Sequence, residues 1–269
     1  MRFKEAVEAL AVRGIESARH DAAEIFTRLG GYNPALLSID NSECDNETVI
    51  SAVQRRAQRE PLQYIIGEVG FYKETYKVSP DCLIPRADTE ILVDYVVSNL
   101  PDGERVLDLC TGSGCVGIST VKNTKNTTAI AVDISSGALL LARENAKING
   151  VLDRISFLEH DVLSECVEGD FFAILSNPPY VSESEYAALE PEIYFEPKEA
   201  FLGGESGLIF YEKITELYKD KLKSGGFIAY EIGCTQADAL TKIAKENGMR
   251  AEIIKDLSGL DRVAILRKV

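Results

Sequence analysis

Residues 177–180 read Asn-Pro-Pro-Tyr and follow an apolar run, Phe171-Phe172-Ala173-Ile174-Leu175, that ends in Ser176. Pro178 and Pro179 fix two φ angles and remove two backbone donors. The residue before each proline is driven out of the helical region. The chain must therefore leave a buried strand in a stiff, extended form, with an amide at its mouth and the Tyr180 ring beyond. The Asn177 side chain offers a carbonyl acceptor and an NH₂ donor, and the Pro178 carbonyl is a second acceptor. The two carbonyls can take both hydrogens of a planar NH₂ group while Tyr180 packs on its plane. The lone pair of such a nitrogen is delocalised and weakly nucleophilic. Acceptors aligned on its hydrogens raise its electron density and stabilise the positive charge that develops as it attacks, a term realised mainly in the transition state.

Residues 108–117, Asp-Leu-Cys-Thr-Gly-Ser-Gly-Cys-Val-Gly, carry a second signal. Gly112, Gly114 and Gly117 have the spacing of a dinucleotide fingerprint. Asp133 ends the next strand, 19 residues after Gly114, where a carboxylate can take both hydroxyls of a ribose. Two cofactors satisfy this pattern. A nicotinamide dinucleotide would set its pyrophosphate at a helix N-terminus. S-adenosylmethionine has no phosphate, and Asp108 would lie near its ammonium. The Asn-Pro-Pro-Tyr turn, at the carboxyl end of a neighbouring strand, favours the second. The chemistry expected is methylation of an amide or aromatic amine nitrogen, with no metal and no covalent nucleophile.

The elements that must position these residues are legible from periodicity. Residues 1 to about 66 read as helices. Ala18, Ala22, Ile25, Phe26 and Leu29 share one face, with Ser17 as N-cap and Gly30-Gly31 as stop; Val49, Ile50, Val53 and Ala57 form a second stripe that Pro61 should end. Residues 68–79 change to a shorter period and suggest two short strands. A helix start is expected at Asp88. From Glu104 onward strands alternate with helices. Strands are expected over 105–110, 128–134, 154–161, 171–177 and 227–233, with a helix running from 207 to Gly225-Gly226 ahead of the last. Two final strands, 250–257 and 262–269, leave no room for a helix between them and should pair antiparallel. This order points to an open α/β sheet.

The chain has 269 residues, 45% apolar and 27% charged, enough for one large domain or two. No run approaches the roughly 18 uninterrupted apolar residues of a membrane helix, and the first residues lack a signal-peptide core. Six scattered cysteines without a Cys-x-x-Cys pair, and two histidines, argue against a Cys/His metal site and for reduced thiols. His160 reads as a strand-end structural residue rather than a base. A net charge of −14 disfavours nucleic acid as a stable partner and suits a basic protein partner. A cytoplasmic monomer is expected.

Taken together, Asp-Leu-Cys-Thr-Gly-Ser-Gly (108–114), Asp133 and Asn-Pro-Pro-Tyr-Val (177–181) resemble the amino-methyltransferases that use S-adenosylmethionine. Within that class the chain is similar to the family that methylates glutamine in peptide chain release factors. Leu-Ile-Pro-Arg-Ala-Asp-Thr-Glu (83–90) resembles a family segment with Ala87 in place of proline. Residues 201–214 fit with Ser206 in place of Asp, and 231–236 and 256–265 fit as well. The resemblance implies a Rossmann-like, mainly parallel seven-stranded sheet with an antiparallel terminal hairpin, preceded by a small all-helical domain. The implied boundaries are 1–67 for a substrate-docking domain, 68–80 for a hairpin linker and 81–269 for the methyltransferase domain. It implies the glutamine of a Gly-Gly-Gln loop as substrate, and so a role in translation termination. Asp108, Cys110, Thr111, Gly112, Ser113, Gly114, Asp133, Ile134, Asp161, Val162 and Asn177 would line the S-adenosylmethionine pocket. Cys110 stands where the family has glycine. Asn177, Pro178, Pro179 and Tyr180 would meet the glutamine, with Arg86 and Glu90 as an ion pair beside them. Glutamine methylation of a ribosomal protein, adenine methylation of nucleic acid, and a binding module without methyl transfer are the competing readings.

Overall fold

The computed structural model describes residues 1–37, 39 and 43–269, which divide into two compact units, Met1–Glu68 with Glu190–Phe195, and Val69–Leu189 with Glu196–Val269.

The first unit holds helices α1 (Phe3–Ala11), α2 (Ala18–Gly30), α3 (Glu47–Ala57) and α4 (Leu62–Ile66). The α2 face expected from its spacing is buried: Ala22, Ile25 and Phe26 pack with Phe3, Leu10, Val49 and Val53. Gly31 ends α2 in the left-handed region, at φ +69°. Pro61 does not terminate α3, which stops at Ala57; it caps the start of α4 instead. Helix α1 falls inside the stretch of residues 1 to about 66 that reads as helices.

Inside this unit Asp21 and Arg56 form a buried ion pair at 2.7 Å. Arg56 also reaches Glu192 at 3.1 Å, and Arg59 reaches the other oxygen of Glu192 at 2.8 Å. Removing one member of such a set leaves an uncompensated buried charge. Arg56→Met is expected to destabilise the chain by about 3–5 kcal/mol in denaturant unfolding. The double variant Arg56→Met/Asp21→Leu should recover part of that loss; a single variant as stable as wild type would contradict the assignment.

The second unit, from Val69, opens on the two-stranded sheet of β1 (Glu68–Phe71), all but its first residue, and β2 (Glu74–Lys77). A short 3₁₀ turn, Ala87–Thr89, then leads into α5 (Glu90–Asn99). The remaining elements are β3 (Arg105–Leu109), α6 (Cys115–Asn123), β4 (Thr128–Asp133), α7 (Ser136–Ile148), β5 (Ile155–Glu159), β6 (Phe171–Ser176), α8 (Glu183–Tyr186), α9 (Ile209–Tyr218), β7 (Leu222–Glu231), α10 (Ala237–Glu246), β8 (Met249–Lys255) and β9 (Asp261–Lys268). The main sheet has the order β5-β4-β3-β6-β7-β9-β8. Pairing is parallel from β5 to β7, and β9 runs antiparallel to both β7 and β8. Strands covered on both faces read as continuous apolar runs. Successive residues go to opposite layers: Val106, Ala173, Leu175 and Phe227 join the core that holds Leu92 and Val96, while Leu107, Ile174 and Ile228 join the one that holds Tyr211 and Ile214.

Helix α9 is shorter than its sequence suggests. It ends at Tyr218, and Leu222 already pairs with Phe171 in the sheet. Gly225-Gly226 is not a helix stop. Gly225 adopts φ +78°, and a Cβ on Gly226 would lie 2.5 Å from the Phe172 carbonyl oxygen. The pair sits where the register shifts between Phe171 and Ala173, so the glycines form a bulge in β7.

Strand β3 has β4 on one side and β6 on the other: the chain runs outward from β3 through β4 and β5, then crosses back to β6 and β7 on the opposite side. Such a reversal opens a crevice at the carboxyl ends of the strands. Leu109 pairs with Ser176 there, and Ser176 Oγ donates to the Leu109 carbonyl at 2.8 Å. The glycine loop after β3 and Asn177 after β6 thus flank one crevice.

Candidate active site

The glycine loop is shaped by two carboxylates. Asp108, 1% exposed, accepts from Thr111 Oγ1 at 2.5 Å and from the Gly117 amide at 3.0 Å, both on Oδ2. A Cβ on Gly117 would lie 2.8 Å from that oxygen, so the third glycine lets α6 close onto Asp108. Burial raises the Asp108 pKa to about 7, against the lowering effect of both hydrogen bonds. Its two hydrogen bonds give the loop its shape. Asp133, at the end of β4, accepts from the Gly112 amide at 2.8 Å and the Ser135 amide at 3.0 Å. Burial raises its pKa as well, with the backbone donors acting the other way.

Cys110 sits at φ +58°, a left-handed conformation that glycine adopts at little cost. This is the physical content of the glycine expected there. Ser113 is buried, and its carbonyl accepts from the buried Asn145 at 2.9 Å. Ile134 follows Asp133 and is 66% exposed. Beyond β5, Val162 is buried, whereas Asp161 is exposed and accepts from the Leu163 amide in a local turn. His160 is structural: its Nε2 meets the Glu165 carbonyl at 2.8 Å.

These residues fit one of the two cofactors. The amides of Thr111, Gly112, Gly114, Gly117 and Ile118 are engaged within the protein, by the Val132 carbonyl, Asp133, the Thr111 carbonyl, Asp108 and the Gly114 carbonyl. A pyrophosphate site needs such amides turned toward the ligand. The donor set here is a strand-end carboxylate with an exposed aliphatic neighbour, which suits ribose and adenine without phosphate.

On the other side of the crevice Asn177 Nδ2 donates to Thr89 Oγ1 at 3.2 Å. Thr89 Oγ1 donates to Glu231 Oε2, and the Tyr180 hydroxyl donates to Glu231 Oε1 at 3.1 Å. Glu231 is 2% exposed and its pKa is raised by burial. Burial, with the Glu231 charge, also raises the Tyr180 pKa. The Asn177 Oδ1 and the Pro178 carbonyl accept no hydrogen bond among the described residues.

The turn itself is held from outside. The Val181 amide donates to the Phe201 carbonyl at 2.8 Å, and the Gly203 amide to the Val181 carbonyl at 2.9 Å. Gln236 Nε2 donates to the Tyr180 carbonyl at 3.0 Å, while its Oε1 accepts from the Gly233 amide and from Tyr211. A Cβ on Gly203 would lie 2.7 Å from the Pro179 carbonyl oxygen.

The expected Arg86–Glu90 pair is not formed. Arg86 pairs with Glu196, which is buried and also accepts from the Ile84 amide at 2.8 Å. Glu90 accepts from the Tyr72 amide at 2.9 Å. The 3₁₀ turn at Ala87–Thr89 separates the two side chains. Thr89, Glu196, Glu231 and Gln236 carry the site's hydrogen bonds and escaped the residue-by-residue reading. A carboxylate closing the apolar run Phe227-Ile228-Ala229-Tyr230 was the available signal for Glu231, since such residues are almost never fully buried without a partner.

Sheet order, glycine loop and paired acceptors define an α/β methyltransferase that takes S-adenosylmethionine as methyl donor. Residues 87–205 match the family model "Methyltransferase small domain", and residues 3–67 match "PrmC N-terminal domain". A protein of Thermodesulfovibrio yellowstonii named release factor glutamine methyltransferase is 42% identical, with 92% of each chain covered. One of the same name from Fusobacterium nucleatum is 36% identical over 99% of this chain and 78% of its own. In fold, a methyltransferase from Pyrococcus furiosus aligns at a TM-score of 0.52, 20% identity, over 71% of this chain and 86% of that one. The chain belongs to the release factor glutamine methyltransferase family.

Proposed function

We propose that the chain transfers a methyl group from S-adenosylmethionine to the side-chain amide nitrogen of a glutamine in peptide chain release factors. The observation that carries this reading is the acceptor pair: Asn177 Oδ1 and the Pro178 carbonyl, both without an internal donor among the described residues. When bound, S-adenosylmethionine supplies a methyl group on a sulfonium, open to displacement by nitrogen. Asn177 and Pro178 accept the two amide hydrogens, raise the electron density on nitrogen and stabilise its developing charge. Tyr180 and Pro179 cover the amide plane, and Arg86, fixed by Glu196, borders the substrate. The methylated nitrogen is acidic and gives its proton to water.

For the donor, Asp133 takes the ribose hydroxyls, Ile134 and Val162 hold the adenine, and residues 110–114 pass beside the methionine part in the form that Asp108 imposes. Asp161 supports the Val162 turn. Asp133→Ala removes a charge-assisted contact worth about 1.5–3 kcal/mol, so the donor dissociation constant should rise about 10- to 100-fold in titration calorimetry. An unchanged constant would contradict the ribose assignment.

The reading extends to a cytoplasmic, monomeric enzyme with no stable hold on nucleic acid, with residues 1–67 as a docking domain, 68–80 as a linker and 81–269 as the catalytic domain. Among the described residues no helix is long and apolar enough to cross a membrane. The test offers labelled donor with release factor, with its Gln→Ala variant, and with duplex DNA. Label on the unaltered release factor alone supports the proposal. Label on DNA, or on neither release factor, overturns it.

A further inference from the structure

An Asn side chain is ambiguous in itself, because one side of its amide accepts and the other donates. The neighbours of Asn177 remove the ambiguity. Glu231 has both oxygens engaged as acceptors, one by Thr89 and one by Tyr180. Burial raises its pKa, and those two hydrogen bonds and the Arg262 charge act the other way. Arg262 is itself placed by Asp88 at 3.2 Å and Asp256 at 3.1 Å. With both Glu231 oxygens accepting, the single Thr89 proton goes to Glu231, and toward Asn177 the Thr89 oxygen can only accept. Turning the amide by half a revolution would set Asn177 Oδ1 against the Thr89 lone pairs, 3.2 Å away, with no hydrogen between them.

We propose that Glu231 and Thr89 are positioning residues that lock the Asn177 carbonyl outward, make the substrate side of the site acceptor-only, and so select a glutamine amide over a glutamate carboxylate. The proposal rests on the reading above, that a glutamine amide is the methyl acceptor. A glutamine side chain brings two hydrogens to the two carbonyls. An ionised glutamate brings oxygens alone, facing Asn177 Oδ1 and the Pro178 carbonyl with no hydrogen to offer them. A site built around hydrogen-bond partners rejects an analogue that leaves them unpaired far more strongly than an apolar site rejects a missing methylene.

The test measures inhibition of release factor methylation by two short peptides that span the target, one with the glutamine and one with glutamate in its place. For wild type the glutamate peptide should be weaker by about 100-fold or more. In Thr89→Val the lock is gone, and the ratio should fall below about tenfold, because the amide can turn its NH₂ outward. Thr89→Ser restores the hydroxyl and should restore the ratio. Glu231→Gln keeps the size of the side chain but can donate to Thr89, so the ratio should fall there too. A loss of packing would weaken both peptides together and leave the ratio intact. Wild type that methylates release factor, with Thr89→Val and Glu231→Gln showing the wild-type ratio, overturns this proposal alone. Wild type that leaves release factor unmethylated overturns the functional reading and this proposal with it.

Discussion

Asn177→Ala is expected to lower the rate of methyl transfer by about 10²- to 10³-fold while the affinity for S-adenosylmethionine stays within a factor of two or so of wild type. The size follows from what is removed. One of two preorganised acceptors on the reacting nitrogen disappears, and a single preorganised group of this kind is typically worth that much in turnover. The loss should fall on kcat more than on KM, because the acceptor works hardest when the nitrogen becomes positive. Stability changes little by comparison. Among the described residues the side chain makes one hydrogen bond, to Thr89, worth about 1 kcal/mol. Single-turnover kinetics with labelled donor, beside donor titration by calorimetry, separate these effects. Unimpaired turnover would remove Asn177 from the chemistry.

Gly207→Ala should be nearly as damaging without touching the substrate. Gly207 adopts φ +73°, where a Cβ costs about 1–2 kcal/mol. The added carbon would also run into the Tyr180 carbonyl oxygen and lie 3.0 Å from Gln236 Nε2, the group that holds this carbonyl. Backbone cannot yield as a flexible side chain can, so the Asn-Pro-Pro-Tyr turn must shift. A displacement on the order of 1 Å at a reacting centre can cost about 10²-fold, and a drop of that order in kcat/KM is expected. Gly204→Ala separates the two causes. Gly204 has a similar φ, +82°, but its nearest foreign atom is a Cγ of Ile209 at 3.5 Å. It should melt earlier and keep most of its activity. Equal losses in the two variants would mean that backbone strain, rather than contact with the turn, is responsible.

The sequence disclosed the parts of this protein that depend on local order. Apolar runs and glycine punctuation located the seven strands of the main sheet, most plainly the central ones, because a strand covered on both faces can carry little polarity, whereas the edge strands β5 and β8 keep exposed residues. The proline pair made the turn after β6 visible for the same local reason. What escaped was set by residues far apart in the chain. Thr89 and Glu231 are 142 positions apart, Arg86 and Glu196 are 110 apart, and nothing in either neighbourhood names the partner. Arg86 and Glu90 were paired by proximity in sequence, and the turn between them sent each elsewhere. Gly225-Gly226 looked like a helix stop because two glycines after a periodic run usually are one. Pairing of Leu222 with Phe171 drew the chain into the sheet early and turned the glycines into a bulge. The glycine loop was found by its spacing, yet the need for Gly117 lies in Asp108, nine residues earlier, which fills the space that a side chain would occupy.

The central claim is that the two carbonyls at 177 and 178 present a glutamine amide nitrogen for methylation. Its most direct test is peptide mapping by tandem mass spectrometry of a release factor incubated with the enzyme and S-adenosylmethionine. One added methyl group, located on the side-chain nitrogen of a single glutamine and reduced about 10²-fold or more when Asn177→Ala replaces the enzyme at matched early times, is the predicted result. A methyl group on any other residue, or an unmodified release factor, would contradict the account.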